Sequence, residues 1–256
     1  MSEQQQADLG WEQSVDHTLA RRLWVLLPSF LLGPETWRGV GRSFQLLGQD
    51  VVITPSHRTT PRDTDHIQPW LDATLAAIPA PDGLPVVLVG HSAVCPRQPL
   101  IVDRLLEAGH HVAAMIIVNG RFPEDGVVPT ERDSPFMDTL DALTRPDGYL
   151  PPWHRWWGQM VEDMLPNDEA RERVFCEAKS VPRAVFDQAI PAPKLPDDVG
   201  QAFLALGEMY LPSFRQARDE GWAVTRLEGE HLHMVVDPVM VTGALLSLAG
   251  RSIQRS

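Results

Sequence analysis

Apolar and polar positions fall in blocks along this chain. Leu23-Trp24-Val25-Leu26-Leu27 is an unbroken apolar run that stops at Pro28-Ser29. Val51-Val52-Ile53 is a second, ended by Pro55; Val86-Val87-Leu88-Val89 and the stretch 112–118 are the third and fourth. Short uninterrupted runs of this kind predict strands buried on both faces. Between them, apolar residues recur at helical spacing. Trp37, Val40, Phe44 and Leu47 mark a helix over 36–47 that Gly48 stops; Ile67, Leu71, Leu75 and Ile78 mark one over 65–78; Ile101, Leu105 and Leu106 mark one that ends near Gly109. This alternation predicts an α/β fold with a mostly parallel central sheet and helices on both faces.

The rhythm breaks after Gly120. Residues 121–198 are rich in Pro, Asp, Arg and Trp and contain no convincing core strand, although PPWHRWWGQMVEDML (151–165) has the pattern of an amphipathic helix. Strand-like and helix-like segments then resume at 202–206, 211–218, 223–227 and 238–248. The expected organisation is a core made of 1–120 and 199–256, interrupted by a helical cap or lid over 121–198. An insertion at the carboxyl ends of the strands lies where open α/β sheets bind ligands. Residues 1–21 are polar and weakly patterned and read as a frayed or helical lead-in.

Bulk properties narrow the function classes. A chain of 256 residues is long enough to bury a large single core. A net charge of −12 argues against nucleic acid and against an anionic membrane surface. The first residues, MSEQQQADLG, show no signal-peptide pattern, and no apolar run has the length of a bilayer span. Two cysteines, Cys95 and Cys176, make no disulfide framework. The expectation is a cytoplasmic protein that acts on a small molecule, with no nucleic-acid or membrane partner; the pattern specifies no oligomeric state. His57, His66, His110, His111 and His154 form no pair with metal-ligand spacing, and neither G-x-G-x-x-G nor a Walker loop occurs, so no metal or other cofactor is expected.

The chemistry concentrates in VVLVGHSAVCP, 86–96. A buried strand that ends in a small-residue turn around Ser92 presents a hydroxyl at the sheet edge. Val94 stands where G-x-S-x-G has its last glycine. Serine needs a base, and the order strand, Ser, acid, His puts that base late in the chain. His231, in Gly229-Glu230-His231 just past the strand at 223–227, is in place; His233 competes, and in an extended loop the two would point opposite ways. His91 packs behind the turn or touches substrate. Cys95, one helical turn beyond Ser92, reads as a small buried residue. Trp153, Trp156 and Trp157 would share a helix face, which describes a pocket wall and a cap helix gripping the core equally well.

LLPSFLLGPETW after the first strand, VGHSA at the serine, IIVNG at a strand end and GEHLHMVVDP at the histidine together resemble the α/β-hydrolase superfamily from Trp24 to Leu248. The resemblance implies an esterase or thioesterase in which Ser92 attacks an acyl carbonyl, His231 moves the proton, and the backbone N–H groups of Ala93 and Phe30 form the oxyanion hole. It further points to Ser29, His91, Trp153, Trp157 and His233 as groups around the substrate, which the apolar cap suggests is a small-to-medium acyl compound. The acid departs from the pattern. One family position lines up near Tyr210, with Glu208 nearby; the other, used in thioesterase-like relatives, holds Asn119. Three readings follow: Asn119 orients His231, Glu208 acts as the acid, or the pocket no longer hydrolyses. The last covers a non-hydrolytic enzyme of specialised metabolism (cyclisation, elimination or acyl transfer) and a non-catalytic binding module.

Overall fold

The computed structural model describes residues 20–56, 59–129 and 134–254. The lead-in over 1–19 and His57 lie outside them. Six strands form one parallel sheet: β1 (Leu23–Leu27), β2 (Asp50–Ile53), β3 (Val86–His91), β4 (Val112–Val118), β7 (Gly200–Leu206) and β8 (Ala223–Leu227), in spatial order β2-β1-β3-β4-β7-β8. Every residue of β1, β3 and β4 is buried, as their unbroken apolar runs predict, whereas the edge strands β2 and β8 are only partly covered.

Side chains on alternate strand residues enter different layers. Trp24, Leu26, Val87 and Val89 pack against α1 (Glu35–Leu46) and α9 (Pro238–Ile253); Leu23, Val25, Leu27, Val86 and Leu88 pack against α2 (Gln68–Ala76) and α3 (Gln98–Glu107). Trp24 stacks on Phe44 of α1 with ring centroids 4.0 Å apart. The indole N–H groups are used as well: Trp24 donates to Gln49 Oε1 at 3.2 Å and Trp37 to the Leu27 carbonyl at 3.0 Å. Large aromatic surface is thereby buried without stranding a donor. Helix α7 (Leu211–Asp219) sets Ala217 against Phe203, Ala205 and Ile117. The last helix starts where Asp237 accepts the Met240 N–H at 2.9 Å, with Pro238 in its first turn. No described helix is long and apolar enough to cross a membrane.

Between β4 and β7 the chain leaves the sheet. It forms α4 (Ser134–Leu143), a two-stranded antiparallel ribbon of β5 (Tyr149–Leu150) with β6 (Val181–Pro182), α5 (Gln159–Asp163) and α6 (Asp168–Glu177). The single amphipathic helix expected over 151–165 does not form. Pro151 and Pro152 precede a 3-10 turn at Trp153–Arg155, and Gly158, with φ +55°, separates that turn from the short α5. Phe136, Trp153, Trp156, Val185 and Phe186 of this segment share one apolar cluster with Phe30, Leu31 and Leu232.

The strand order reverses between β1, which leads outward to β2, and β3, which leads inward to β4. Open α/β sheets form their ligand crevice at such a point. The Pro28–Leu32 loop after β1 and the turn after β3 flank it. Gly120 keeps that region tight: a Cβ there would lie 2.3 Å from Cys95 Sγ and 2.7 Å from the Ser92 carbonyl oxygen. Gly120→Ala is expected to destabilise by about 1–3 kcal/mol, read as a lower urea midpoint. Adding Cys95→Ala should restore only part of the loss, because the Ser92 carbonyl remains in the way; an unshifted midpoint for Gly120→Ala would contradict the crowding.

Candidate active site

Two adjacent strand ends and one turn build the site. Ser92 follows β3 directly and opens a 3-10 helix (Ser92–Arg97) with φ +61°, a left-handed backbone that a serine adopts only under constraint. That turn throws the hydroxyl off the sheet edge. Asn119 follows β4 with φ +45°, a conformation Asn tolerates better than most residues. Because β3 and β4 pair with His91 opposite Val118, Ser92 and Asn119 leave the sheet side by side. His231 enters from the turn between β8 and α8 (His233–Val236).

The imidazole joins them. His231 Nε2 lies 3.0 Å from Ser92 Oγ, and Nδ1 lies 2.7 Å from Asn119 Nδ2. Burial lowers the His231 pKa to about 4, so the ring is neutral at pH 7. His91 lies directly beneath, its ring centroid 4.5 Å from that of His231, and its Nε2–H donates to the His231 carbonyl at 3.0 Å. Burial holds His91 well below its ordinary pKa as well.

The amide of Asn119 has a defined orientation. Its Oδ1 accepts the buried Leu206 N–H at 3.0 Å, which leaves the NH2 end facing His231. An amide N–H donates, so Nδ1 of His231 is the acceptor and the ring proton sits on Nε2, donated toward Ser92. A base for Ser92 needs the opposite tautomer. Reaching it requires the amide to turn, which leaves the Leu206 donor buried without a partner at a cost on the order of 1–3 kcal/mol.

Among the other residues singled out by the sequence, Ala93, Phe30, Trp153 and Trp157 line a cavity of about 420 Å³ that opens beside Ser92 and His231. Its remaining walls are chiefly apolar and come from both the sheet loops and the inserted segment, including Phe136, Trp156, Phe186 and Met209. Trp157 is the more open of the two tryptophans at 37% exposure, against 7% for Trp153. Ala93 lies in the first turn of its helix, where a backbone N–H has no partner within the helix.

Four candidates are placed elsewhere. Glu208 points outward, its side chain 80% exposed, and pairs with Arg226 at 3.4 Å; it does not meet His231. Ser29 is fully buried and its Oγ accepts the Leu31 N–H at 3.3 Å, so it shapes the loop from within. His91 supports the His231 backbone from below and is not in the cavity wall. His233 does not project opposite His231 from an extended loop, because the chain there is already turning into α8; its ring packs on Gly229, where a Cβ would lie 2.6 Å from it.

Two residues of the site escaped the sequence reading. Tyr210, noted only as the place where an acid is missing, lines the cavity beside Ser92 with its ring centroid 5.7 Å from that of His231; burial raises the phenol pKa and Ser92 partly opposes that. Arg97, five residues beyond Ser92, lies in the cavity wall and is 2% exposed.

No family model matches the chain, and no curated protein matches it. Solved structures do. An extracellular α/β-hydrolase from a Paenibacillus species, described as sharing homology with tobacco salicylic acid binding protein 2, superposes with a TM-score of 0.68 at 12% identity over 89% of this chain and 98% of that one. A pyrethroid hydrolase from Sphingobium faniae gives 0.65 at 14% over 90% and 98%. Tomato methylketone synthase I complexed with 2-tridecanone gives 0.66 at 14% over 91% and 99%. The chain has the α/β-hydrolase fold.

The depressed pKa of His231 fixes the sign of a stability effect. Between pH 6.5, its ordinary value, and about 4, the unfolded chain binds a proton that the folded chain refuses. Stability therefore falls as pH falls across that window and is complete above it. Urea unfolding at pH 7 and pH 5 should show lower stability at pH 5, and His231→Gln should shrink that difference; an undiminished difference would contradict the buried neutral ring.

Proposed function

We propose that this protein is an enzyme that acts on the carbonyl group of a small-to-medium, largely apolar acyl compound, as an esterase or thioesterase. The contact of 3.0 Å between Ser92 Oγ and His231 Nε2, on a strand-to-helix turn with φ +61°, carries this reading. In that scheme Ser92 Oγ attacks the carbonyl carbon while His231 takes the hydroxyl proton. The amide N–H groups of Ala93 and Phe30 receive the developing oxyanion. His231 then returns the proton to the leaving alkoxide or thiolate as the C–O or C–S bond breaks, and water repeats the cycle on the acyl-enzyme. The apolar cavity walls suit an acyl chain, and a pyrethroid hydrolase and a ketone-bound methylketone synthase stand among the similar folds. Two free cysteines fit a cytoplasmic setting.

The orientation of the Asn119 amide favours a second reading, in which hydrolysis is not the main reaction. With Nε2 protonated at rest, the neutral His231 ring is poised to donate a hydrogen bond to a substrate oxygen and polarise it. Cyclisation, elimination or acyl transfer would use that donor without first reversing the tautomer.

One substitution separates the two. In Asn119→Asp, one carboxylate oxygen keeps the Leu206 N–H while the other accepts from Nδ1–H, freeing Nε2 as a base. Loss of the corresponding carboxylate in a serine protease lowers turnover about 10⁴-fold. Here the change runs in reverse, and Asn119→Asp is expected to raise p-nitrophenyl ester hydrolysis at least tenfold. The new carboxylate also raises the His231 pKa, so the acid limb of the variant should lie above the wild-type limb near pH 4. A fluorophosphonate probe should label wild type at Ser92 and leave Ser92→Ala unlabelled. Absence of labelling in wild type and in Asn119→Asp would overturn the nucleophile assignment; labelling and ester turnover confined to Asn119→Asp would establish the second reading.

A further inference from the structure

The cavity beside Ser92 contains a charge that no direct ion pair in the described protein balances. Arg97 ends the 3-10 helix that Ser92 begins, and it is 2% exposed. Among the described residues its guanidinium makes no ion pair and no hydrogen bond, and its Nε is sealed from solvent without a partner. Two rings hold it in place: the guanidinium carbon lies 4.6 Å from the centroid of Phe30 and 5.4 Å from that of Trp70. Such cation–π contacts hold the group while giving its N–H donors no acceptor. Asp65, the one carboxylate whose field favours the charged form, spends its Oδ1 on the N–H groups of Ile67 and Gln68 and on the Gln188 amide. Burial lowers the Arg97 pKa only to about 10, so the charge persists at neutral pH.

Arg97 lines two spaces at once. One is the cavity that holds Ser92 and His231; the other is a side chamber of about 20 Å³ bounded by Phe30, Thr59, His66, Trp70 and Val185. The chamber has room for an atom group little larger than a water molecule. Thr59 Oγ1 lies 2.6 Å from His66 Nδ1, so the polar groups at this end are donors and dipoles with no carboxylate among the lining residues. A buried guanidinium without a direct counter-charge is strongly disfavoured by desolvation, and its planar fork matches a carboxylate in two-point contact. The net charge of −12 makes the missing partner more telling, since acidic side chains are abundant elsewhere in the chain.

We propose that Arg97 is the anchor of an anion subsite and that the natural substrate carries a carboxylate, in addition to the group that reacts at Ser92. This rests on the functional reading above only for the place where chemistry occurs; the subsite is defined by binding alone. The substrate is then an apolar molecule with two polar ends: an acyl carbonyl toward Ser92 and His231, and a carboxylate seated on Arg97 between Phe30 and Trp70. A neutral ester of the same length would fill the apolar walls and leave the guanidinium unmatched.

Octanoate and octanamide test this by titration calorimetry, because they share an acyl chain and differ in charge. Wild type should bind octanoate at least tenfold more tightly than octanamide. Arg97→Met removes the charge while keeping much of the volume, and it should bring octanoate down to the affinity of octanamide. Arg97→Lys keeps the charge without the fork and should fall between. Ligand-free Arg97→Met should melt no lower than wild type, since an uncompensated buried charge has been removed. The same titrations in Ser92→Ala should match wild type, which keeps failure of the subsite distinguishable from failure of the chemistry. Equal affinity for the two ligands in wild type would overturn the proposal. So would an octanoate preference that survives in Arg97→Met, as expected if the carboxylate sat against the Ala93 and Phe30 amides instead. If Arg97→Met does not fold, Arg97→Lys carries the comparison: an undiminished octanoate preference there refutes two-point recognition.

Discussion

One hydrogen bond governs how this site works: the Leu206 N–H donated to Asn119 Oδ1 at 3.0 Å. It lies within the sheet, where a backbone donor left unpaired would be costly. By fixing the oxygen end of the amide, it turns the nitrogen end toward His231 and so decides which ring nitrogen carries the proton. The arrangement of Ser92, His231 and Asn119 has the outline of a hydrolytic triad, yet the polarity of its central member is set by a donor on a neighbouring strand. Geometry alone describes a nucleophile with a base beside it; the hydrogen-bond inventory describes a base whose lone pair points away.

The rest of the molecule supports that arrangement from several sides. His91 holds the carbonyl of His231 from beneath, Gly120 lets Cys95 and the Ser92 carbonyl approach, and Asp237 and Pro238 start the helix that follows the histidine turn. The inserted segment encloses the other side. Its aromatic residues share a cluster with the loop after β1, so the cavity wall and the core are one packed unit. Burial then does two things to charge. It holds His231 neutral, and it leaves Arg97 charged between two rings.

The inner strands β1, β3 and β4 were legible because they are buried on both faces and so read as nearly unbroken apolar runs. Val112–Val118 falls where its apolar run places it and Ala223–Leu227 keeps its expected bounds, while helix ends moved by a few residues, the last helix running on to Ile253. At the start of α2, which begins at Gln68, Asp65 accepts the N–H groups of Ile67 and Gln68. Ser92 and His231 were legible for a related reason, since a chain that ends a buried strand in small residues, and a histidine just past the last strand, leave few alternatives. The inserted segment was less legible: prolines and the positive φ of Gly158 break a pattern that reads as one helix. Glu208 and His233 were mis-set because sequence distance does not report which way a turn faces. Arg97 was missed because its meaning lies in the absence of a partner, which only three-dimensional packing reveals.

Ser92 and Asn119 sit at the ends of adjacent strands whose register is locked along β3 and β4, with the one irregularity at the far end, between Val86 and Val87. The imidazole of His231 spans the two like a rung across neighbouring rails. Strand spacing in a sheet is about 4.8 Å and scarcely varies, so the distance the rung must cover is set by backbone pairing and not by flexible side chains. The spacing of Ser92 and Asn119 is thus a property of the sheet itself, and heat can separate those two only by parting the strands beneath them.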